Sequence, residues 1–222
     1  MGLTVQSTSA KASRNFRFAD SEILVALAGN PNVGKSTVFN ELTGMNQHTG
    51  NWPGKTVALA KGTARHQETD YTLVDLPGTY SLIANSAEEA IASEFICFQK
   101  PAVTIVVCDA TALQRNLNLV LQILQMTANV VVCVNLMDEA RKKKIEIDLE
   151  KLSELLQVPV VAASARSHQG LDALMDAVAQ LTEHPRTQIA CLDYPFVIQN
   201  ELDRLRGQLR MLDPAYDIPW IA

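Results

Sequence analysis

The sequence predicts an α/β fold in which a mostly parallel six-stranded sheet carries helices on both faces. Two observations predict it. Apolar runs of strand length alternate along the chain with segments whose apolar residues recur every three or four positions, the period of a helix. The turn after the first apolar run is rich in glycine and ends in Lys-Ser, a pattern typical of loops that hold phosphate groups.

The glycine-rich turn covers residues 29–36, and its neighbours on both sides support its interpretation. The apolar run 23–28 before it predicts a buried strand, and Val38, Phe39 and Leu42 after it predict a helix that ends at Gly44. Backbone N–H groups, the helix N-terminus and Lys35 would bind phosphates, while the Ser36 hydroxyl would hold Mg²⁺. The candidate phosphate-binding residues are Gly29, Asn30, Pro31, Asn32, Val33, Gly34, Lys35, Ser36 and Thr37.

Residues 48–57 are so rich in glycine, proline and asparagine that we predict a loop beside the phosphates. In it, Thr56 is the candidate that completes the Mg²⁺ shell and contacts the γ-phosphate, and a surface loop with an ordinary threonine is the alternative. The nucleotide-binding candidates of this loop are Gly54, Lys55, Thr56 and Val57. Two strands, 57–65 and 71–76, are predicted to follow as a hairpin.

The second hairpin strand ends in an Asp-x-x-Gly turn about 40 residues after the phosphate loop. Asp75 at that position suits the binding of Mg²⁺ through a water, and the Gly78 N–H can approach the γ-phosphate. An Asp-x-x-Gly turn is common in other contexts. The interpretation therefore depends on its position at the end of a strand after the phosphate loop. The candidates here are Asp75, Leu76, Pro77 and Gly78.

The remaining strands are predicted at 103–109, 130–135 and 158–163, and each is followed by a helix or a turn. The helices are indicated by apolar residues at helical spacing around 117–124, 149–156 and 171–181. A basic turn at 141–144 follows the second of these strands. We interpret it as a solvated helix end rather than an anion site.

Two strand ends carry residues that suit a purine base. Asp138 can accept two hydrogen bonds from guanine, Asn135 can fix the purine edge, and the Ala165 N–H can meet guanine O6. Adenine offers no such pair of donors, so we expect GTP as the substrate and GDP as the product. The alternative for the Asn-x-x-Asp pattern is a turn or helix cap. The base-binding candidates are Asn135, Leu136, Met137, Asp138, Ser164, Ala165 and Arg166.

The net charge and the residue composition restrict the partners and the cellular compartment that we expect for this chain. A net charge of −5 and an isoelectric point near 5.4 count against a nucleic-acid partner. No apolar run approaches 18 residues, so we expect the chain shown to be soluble. Its four cysteines lack metal-ligand spacing and are expected to be reduced thiols, and its four histidines are scattered without the spacing of metal ligands.

The two ends of the chain differ from the middle. Residues 1–20 mix small, polar and basic residues without an apolar segment, and we predict a flexible leader. Residues 184–222 begin as a linker, and then Ile198, Leu202, Leu205, Leu209 and Leu212 predict a helix with one apolar stripe. Since nothing else in the sequence covers that stripe, we expect this helix to be loosely held or to pair with a second copy.

Taken together, the phosphate loop, Thr56 and the motifs at 75–78, 135–138 and 164–166 resemble the translation-factor-related class of small GTPases over about residues 22–183. Within that class, the segments Gly-Asn-Pro-Asn-Val-Gly-Lys-Ser, Asn-Trp-Pro-Gly, Asp-Leu-Pro-Gly-Thr-Tyr-Ser-Leu and Asp109-Ala110-Thr111 are similar to the N-terminal G domain of the FeoB family of bacterial ferrous iron transporters. Leu136 replaces the lysine that GTPases at large carry in this motif.

The resemblance implies a Ras-like P-loop GTPase fold in residues 21–183 and the start of a small helical regulatory domain in 184–222. It also implies that the intact polypeptide continues into a membrane permease, with this part on the cytoplasmic side of the bacterial inner membrane. There the domain would bind and slowly hydrolyse GTP to regulate or drive ferrous iron uptake.

A glutamine that orients the attacking water in Ras-type enzymes is absent, because Thr79 follows Gly78. The resemblance implies that K⁺ compensates, held by the Asn32 side chain and by the carbonyls of Gly50 and Trp52. The catalytic candidates are then Asn32, Lys35, Thr56 and Gly78, with Ser36, Thr56 and Asp75 as Mg²⁺ ligands. An asparagine that merely tolerates a tight turn is the alternative for Asn32.

Two other functions stay open at this point. A related GTPase of ribosome assembly or tRNA modification would share the motifs, although the acidic charge and the lack of a basic module after residue 183 count against it. A module that holds nucleotide without turnover would explain the missing glutamine.

Overall fold

The structure is a computed structural model, and it describes residues 21–44, 47–51, 58–83, 86–187 and 195–212. The described strands form one sheet in the order β2-β3-β4-β1-β5-β6-β7. Their bounds are β1 Ile23–Gly29, β2 Gln47–Asn51, β3 Ala58–His66, β4 Thr69–Asp75, β5 Val103–Asp109, β6 Val130–Asn135 and β7 Val160–Ala162.

The central strand β1 pairs in parallel with β4 on one side and β5 on the other, and β6 and β7 continue the parallel arrangement. At one edge of the described sheet, β2 pairs antiparallel with β3, and β3 pairs antiparallel with β4. The carboxyl ends of the parallel strands therefore meet at one edge of the sheet, where open α/β folds place their ligands. The prediction of a mostly parallel sheet is confirmed.

Within the described residues the sheet has seven strands, one more than the six predicted. The additional strand is β2, which occupies the first part of the segment that we predicted as a loop. It pairs with β3 from Gln47 opposite Gly62 to Asn51 opposite Ala58. Backbone pairing with an existing strand thus outweighs the low strand propensity of this polar segment. The rest of the predicted loop, 52–57, lies outside the described residues.

The described helices are α1 Lys35–Thr43, α2 Ala87–Glu94, α3 Leu113–Leu124, α4 Met137–Lys142, α5 Leu149–Leu156, α6 Leu171–Glu183 and α7 Phe196–Leu212. As predicted, α1 ends at Gly44, which has a left-handed backbone with φ of 62° and whose N–H donates to the Asn40 carbonyl. Helix α2, which the sequence analysis did not predict, begins after Ser86, whose hydroxyl accepts from the Glu89 N–H at 3.1 Å. A π-helical turn, Phe95–Gln99, extends it.

Short helix α4 replaces the first part of the predicted basic turn. Its last residues, Arg141 and Lys142, are exposed, and Lys142 Nζ lies 2.8 Å from Glu139 Oε1 one turn earlier. This arrangement confirms the interpretation of the basic run as a solvated helix end.

Two hydrophobic cores lie on opposite faces of the sheet, because side chains alternate along a strand. On β1, Leu24, Ala26 and Ala28 belong to one core, and Val25 and Leu27 belong to the other. The first core packs against α2, α3 and α5, and the second packs against α1 and α6. Helices therefore cover both faces, as predicted.

Helix α7 confirms the helix predicted from the apolar stripe. Several of its apolar side chains are exposed, among them Phe196, Val197, Ile198 and Met211. Among the described residues, no helix is both long and apolar enough to cross a membrane. The predicted leader at 1–20 falls outside the described part of the chain, and the assignment of 184–222 to a second domain stays a prediction.

Gly170, which precedes α6, offers a test of the fold. Its φ is +81°, and a Cβ atom there would lie 2.0 Å from the Ala162 carbonyl oxygen. We expect Gly170→Ala to lower the free energy of unfolding by at least about 2 kcal/mol, through left-handed strain and steric overlap with backbone. Urea denaturation measures this change.

The matched control is Gly207→Ala in α7, where a Cβ meets nothing within 4 Å. That change is expected to leave stability unchanged or to raise it by about 0.5–1 kcal/mol, because alanine favours helix. Equal midpoints for Gly170→Ala and the parent would contradict the described turn.

Candidate functional site

The phosphate loop joins β1 to α1 and can accept only glycine at two positions. At Gly29, a Cβ atom would lie 2.6 Å from the carbonyl oxygen of Val107 on the neighbouring strand. At Gly34, φ is +80° and a Cβ would lie 2.5 Å from Asn135 Nδ2. Asn32 also has a left-handed backbone, with φ of 65°. The predicted strand, loop and helix are all present in the predicted order.

Lys35 and Ser36 open α1 and both contact Asp75 at the end of β4. The Lys35 ammonium donates to Asp75 Oδ1 and to the Leu76 carbonyl, and Ser36 Oγ lies 3.1 Å from Asp75 Oδ2. The side chains of Lys35 and Asp75 are only 9% and 13% exposed, so their charges interact with little solvent screening. The start of α1 and the end of β4 thus bring together one cation, one hydroxyl and one carboxylate, and their roles toward phosphate and Mg²⁺ stay predictions.

The Asp-x-x-Gly turn lies directly against the phosphate loop. The Leu76 N–H donates to the Leu27 carbonyl at 2.9 Å and the Thr79 N–H to the Gly29 carbonyl at 3.1 Å. A Cβ at Gly78 would lie 3.2 Å from Pro31 Cα, which is tighter than side chains normally allow. A glycine here lets the two backbones approach each other.

Asn135 connects the two halves of the site. Its Nδ2 donates to the Val33 carbonyl of the phosphate loop at 3.1 Å, and its Oδ1 accepts from the Ala165 N–H at 3.0 Å. The side chain is 1% exposed. The structure shows this amide joining the phosphate loop to the Ser164–Arg166 segment, and its predicted place at the purine edge stays a prediction.

The Ala165 N–H, predicted to meet guanine O6, is the same group that donates to Asn135. In the structure it therefore has a protein partner, and Ala165 is 2% exposed. Nearby, the Asp138 N–H donates to Ser164 Oγ at 3.2 Å, which fixes the start of α4 against the Ser164–Arg166 segment. The Asp138 side chain is half-buried, and none of the described residues donates a hydrogen bond to its carboxylate.

Leu136, which stands where GTPases at large carry lysine, has a left-handed backbone with φ of 62°. Its Cδ2 atom lies 3.9 Å from the position of a Cβ on Gly34. The leucine side chain therefore lies beside the phosphate loop at Gly34. Met137 begins α4, and its N–H donates to the Ala163 carbonyl at 3.2 Å.

Some predicted site residues cannot be placed. Trp52, Gly54, Lys55, Thr56 and Val57 fall outside the described residues. Gly50 lies in β2 and pairs with Leu59 of β3. The proposed roles of these residues toward Mg²⁺, K⁺ and nucleotide stay predictions.

A buried polar residue on α3, Asn116, was missed by the sequence analysis. Asn116 on α3 is 3% exposed, and its Oδ1 accepts from the Asp109 N–H at 2.6 Å. It shares the buried face of the helix with Leu119, Val120 and Ile123. An amide on an otherwise apolar helical face is the signal that could have identified it.

Three cysteines of the described residues are buried, and two of the histidines contact carboxylates. Burial raises the pKa of the Cys97 and Cys133 thiols to about 12 and also raises that of Cys108. His66 pairs with Asp176 and His168 with Glu41, each at 2.8 Å. No group of three or more metal-ligating side chains occurs in the part of the chain that the structure describes.

Removing the Asn135 amide tests the connection between the two loops. We expect Asn135→Ala to lower the free energy of unfolding by about 2–4 kcal/mol, because Val33 and Ala165 each keep a buried polar group without its partner. Urea denaturation measures it. Asn118→Ala, on the exposed side of α3, is the matched control and should change stability by less than about 0.5 kcal/mol. Equal losses in the two variants would contradict the described role.

Comparison with known proteins tests whether the chain belongs to the family that its motifs resemble. The model of the ferrous iron transport protein B family matches residues 23–178. The Fe(2+) transporter FeoB of Escherichia coli strain K12 is 37% identical over 204 residues, which are 90% of this chain and 26% of that protein. The corresponding transporter of Salmonella typhimurium is 35% identical over the same length. The chain thus spans about a quarter of the curated relatives it matches.

Solved structures agree with this result. The cytosolic domain of the T. maritima FeoB iron transporter in a GMPPNP form is 36% identical, with a TM-score of 0.80, over 85% of this chain and 74% of that one. The FeoB G-domain from Methanococcus jannaschii is 42% identical, with a TM-score of 0.65, over 73% of this chain and 98% of that one. The P-loop GTPase fold is confirmed, and the chain belongs to the ferrous iron transport protein B (FeoB) family.

Proposed function

We propose that this chain binds GTP, hydrolyses it to GDP and phosphate, and thereby regulates ferrous iron uptake by a bacterial inner-membrane transporter. The observation that carries the proposal is the Asn135 side chain, which joins the phosphate loop to the Ser164–Arg166 segment. A nucleotide bound along these two loops would have its phosphates at one end and its base at the other. Relatives solved in GDP and GMPPNP forms support guanine nucleotide as the ligand.

The phosphates would lie in the loop from Gly29 to Thr37. The loop's backbone N–H groups and the N-terminus of α1 favour an anion there, and Lys35 can exchange its bond with Asp75 for the β- and γ-phosphates. The half-exposed Gly78 would offer its N–H to the γ-phosphate from the neighbouring turn. These groups make the cleft selective for a polyphosphate.

Ser36 and Asp75 fit a magnesium site, because both supply oxygen atoms and these atoms lie 3.1 Å apart. Thr56 is the third proposed ligand. When bound, Mg²⁺ would neutralise charge on the β- and γ-phosphate oxygens. Until the phosphates bind, the Lys35 ammonium holds the Asp75 carboxylate in place beside Ser36.

The base would lie against Asp138, whose carboxylate can accept from N1–H and N2–H₂ of guanine. Leu136 would support the nucleotide through its apolar side chain, and Asn135 would fix the loops on either side. Adenine would leave the half-buried Asp138 carboxylate without donors, which costs about 1–3 kcal/mol or more. Selectivity for guanine follows.

Exchanging Asp138 for asparagine tests base selectivity. We expect Asp138→Asn to weaken GTP binding at least about tenfold and to shift preference toward xanthosine triphosphate, whose carbonyl at C2 matches an amide donor. Competition titration of a fluorescent nucleotide measures both affinities. Glu139→Gln, which removes the adjacent carboxylate, is the matched control and should retain GTP preference. An Asp138→Asn variant with the parent's GTP affinity would contradict the proposed base contact.

Hydrolysis requires an arrangement other than a water-orienting glutamine. Thr79 stands at that position, it is 3% exposed, and its hydroxyl donates to the Ser81 carbonyl at 2.5 Å. Its side chain is therefore engaged within the protein. We propose K⁺, held by Asn32 and the carbonyls of Gly50 and Trp52, as the group that offsets charge developing between the β- and γ-phosphates. The left-handed backbone of Asn32 also suits asparagine by itself, so this role needs a direct test.

The rate of GTP hydrolysis, measured in K⁺ and in Na⁺, provides that test. The same measurement distinguishes an enzyme from a module that binds nucleotide without hydrolysing it. We expect the parent to hydrolyse GTP faster in K⁺ than in Na⁺, and Asn32→Gly to lose the difference. Glycine is preferred to alanine because it accepts the φ of 65° without strain. Phosphate release measures the rates.

The control for this experiment is Asn118→Ala, an exposed asparagine on α3 that should keep the K⁺ response. If Asn32→Gly turns over GTP equally fast in both salts and as fast as the parent in K⁺, the K⁺ role is wrong. Absence of turnover by the parent in either salt would favour the nucleotide-holding alternative.

The wider physiology follows from the family. We propose that the intact polypeptide carries a membrane permease and that this domain lies on the cytoplasmic side of the inner membrane. Residues 184–222 would begin a helical regulatory domain, in which the exposed apolar side chains of α7 pack against later segments or a second copy. The family membership and the acidic net charge of the chain make a role in ribosome assembly or tRNA modification the weaker candidate. Retention of RNA by the purified chain would support that alternative.

A further inference from the structure

The segment Thr79–Ile83, which directly follows the Asp-x-x-Gly turn, is held by helix α3. Gln122 Oε1 accepts a hydrogen bond from the Leu82 N–H at 2.7 Å and lies 3.3 Å from Ser81 Oγ, which can donate to it. Gln122 is half-buried. One amide oxygen on α3 therefore satisfies two groups of a segment that lies 40 residues earlier in the chain.

A second contact holds the same segment two helical turns away. The Arg115 guanidinium carbon lies 4.4 Å from the centroid of the Tyr80 ring, a distance at which a cation is attracted to an aromatic face. Arg115 and Gln122 are seven residues apart and so lie on the same side of α3. Helix α3 thus contacts the segment Thr79–Ile83 through two different side chains.

Internal hydrogen bonds make the segment a single unit. The Thr79 hydroxyl donates to the Ser81 carbonyl at 2.5 Å and accepts from the Ser81 N–H at 3.2 Å. Ser81 Oγ accepts from the Ile83 N–H at 3.0 Å. Because Thr79 is adjacent to Gly78, a restraint applied at Tyr80 and Leu82 is transmitted to the glycine.

At its other end, this unit meets the phosphate loop. The Thr79 N–H donates to the Gly29 carbonyl at 3.1 Å, and a Cβ at Gly78 would lie 3.2 Å from Pro31 Cα. Gly78 is therefore held beside the loop, in a place from which its N–H can serve a terminal phosphate. The contacts from α3 favour this placement.

Packing alone does not fix Tyr80. Its side chain is 43% exposed and borders a cavity of about 200 Å³, which is also lined by Asn30, Pro31, Asn32, Asp109 and Arg115. Leu82 is buried in the core and anchors the far end of the segment, but burial does not orient its N–H. Polar contacts from Arg115 and Gln122 therefore act together with the Thr79–Gly29 hydrogen bond to fix the residues between Gly78 and Leu82.

We propose that Gln122 and Arg115 are positioning residues that hold Gly78 at the phosphate loop and thereby set the preference of the site for triphosphate over diphosphate. This inference rests on the proposed GTP-binding function. The γ-phosphate gains the Gly78 N–H only while the segment is held, whereas GDP has no group at that position. The effect of the contact is therefore confined to the triphosphate.

The experiment compares the affinities of the non-hydrolysable analogue GMPPNP and of GDP in magnesium buffer. Gln122→Met keeps the length of the side chain and removes its acceptor. We expect the ratio of GMPPNP to GDP affinity to fall about 3- to 10-fold, as loss of one buried hydrogen bond implies, with GDP affinity within about twofold of the parent. Amide exchange at Leu82 is expected to become faster.

Two further variants complete the design. Gln122→Glu keeps an acceptor oxygen at the same reach and should restore the ratio, and Arg115→Gln, at an exposed position that tolerates substitution, should lower it independently. Gln114→Met, the same chemical change at an exposed position of α3, is the matched control and should leave the ratio unchanged.

An unchanged ratio in both Gln122→Met and Arg115→Gln overturns the inference while leaving GTP binding intact. Equal weakening of GMPPNP and GDP also overturns it, because that result means the two residues only support folding. A parent chain that binds neither nucleotide overturns the proposed function and this inference with it.

Discussion

The buried amide of Asn135 is the contact on which the geometry of the site depends. It stands at the end of β6, almost completely hidden from solvent, and satisfies a carbonyl of the phosphate loop and an N–H of the Ser164–Arg166 segment. A buried polar group without a partner costs more than a typical hydrogen bond contributes, so each of these three segments constrains the other two. Gly34 is required beside it because a Cβ there would collide with the amide nitrogen.

The paired charges of Lys35 and Asp75 complete this arrangement at the phosphate end. Both side chains are nearly buried, and each would be costly to leave alone in that environment. Binding of a polyphosphate and a divalent cation offers each of them a new partner of opposite charge. The Lys35–Asp75 ion pair thus holds both charged groups where a ligand would compete for them.

Particular residues show what the sequence could and could not reveal. Long apolar runs such as Val103–Asp109 and Val130–Asn135 predicted central strands correctly, because strands buried on both faces must be continuously apolar. Strand β2 was missed because its pairing with β3 is a tertiary contact, and its own residues are poor strand formers. Helix α2 was missed because it carries only a short apolar pattern after its Ser86 cap. Motif spacing identified Lys35, Asp75 and Asn135, whereas the partners of Asn135 and the contacts of Gln122 depend on distances across the fold.

The buried thiols described above carry a consequence for alkaline conditions. Burial raises the pKa of Cys97 and Cys133 from about 9.0 to about 12, so between these values the unfolded chain releases protons that the folded chain retains. The contribution of these two thiols to the free energy of unfolding is fully present below about pH 9 and is lost as the pH rises toward 12. At neutral pH the same two groups stay uncharged and pack as small apolar side chains, a form in which a thiol is a poor nucleophile.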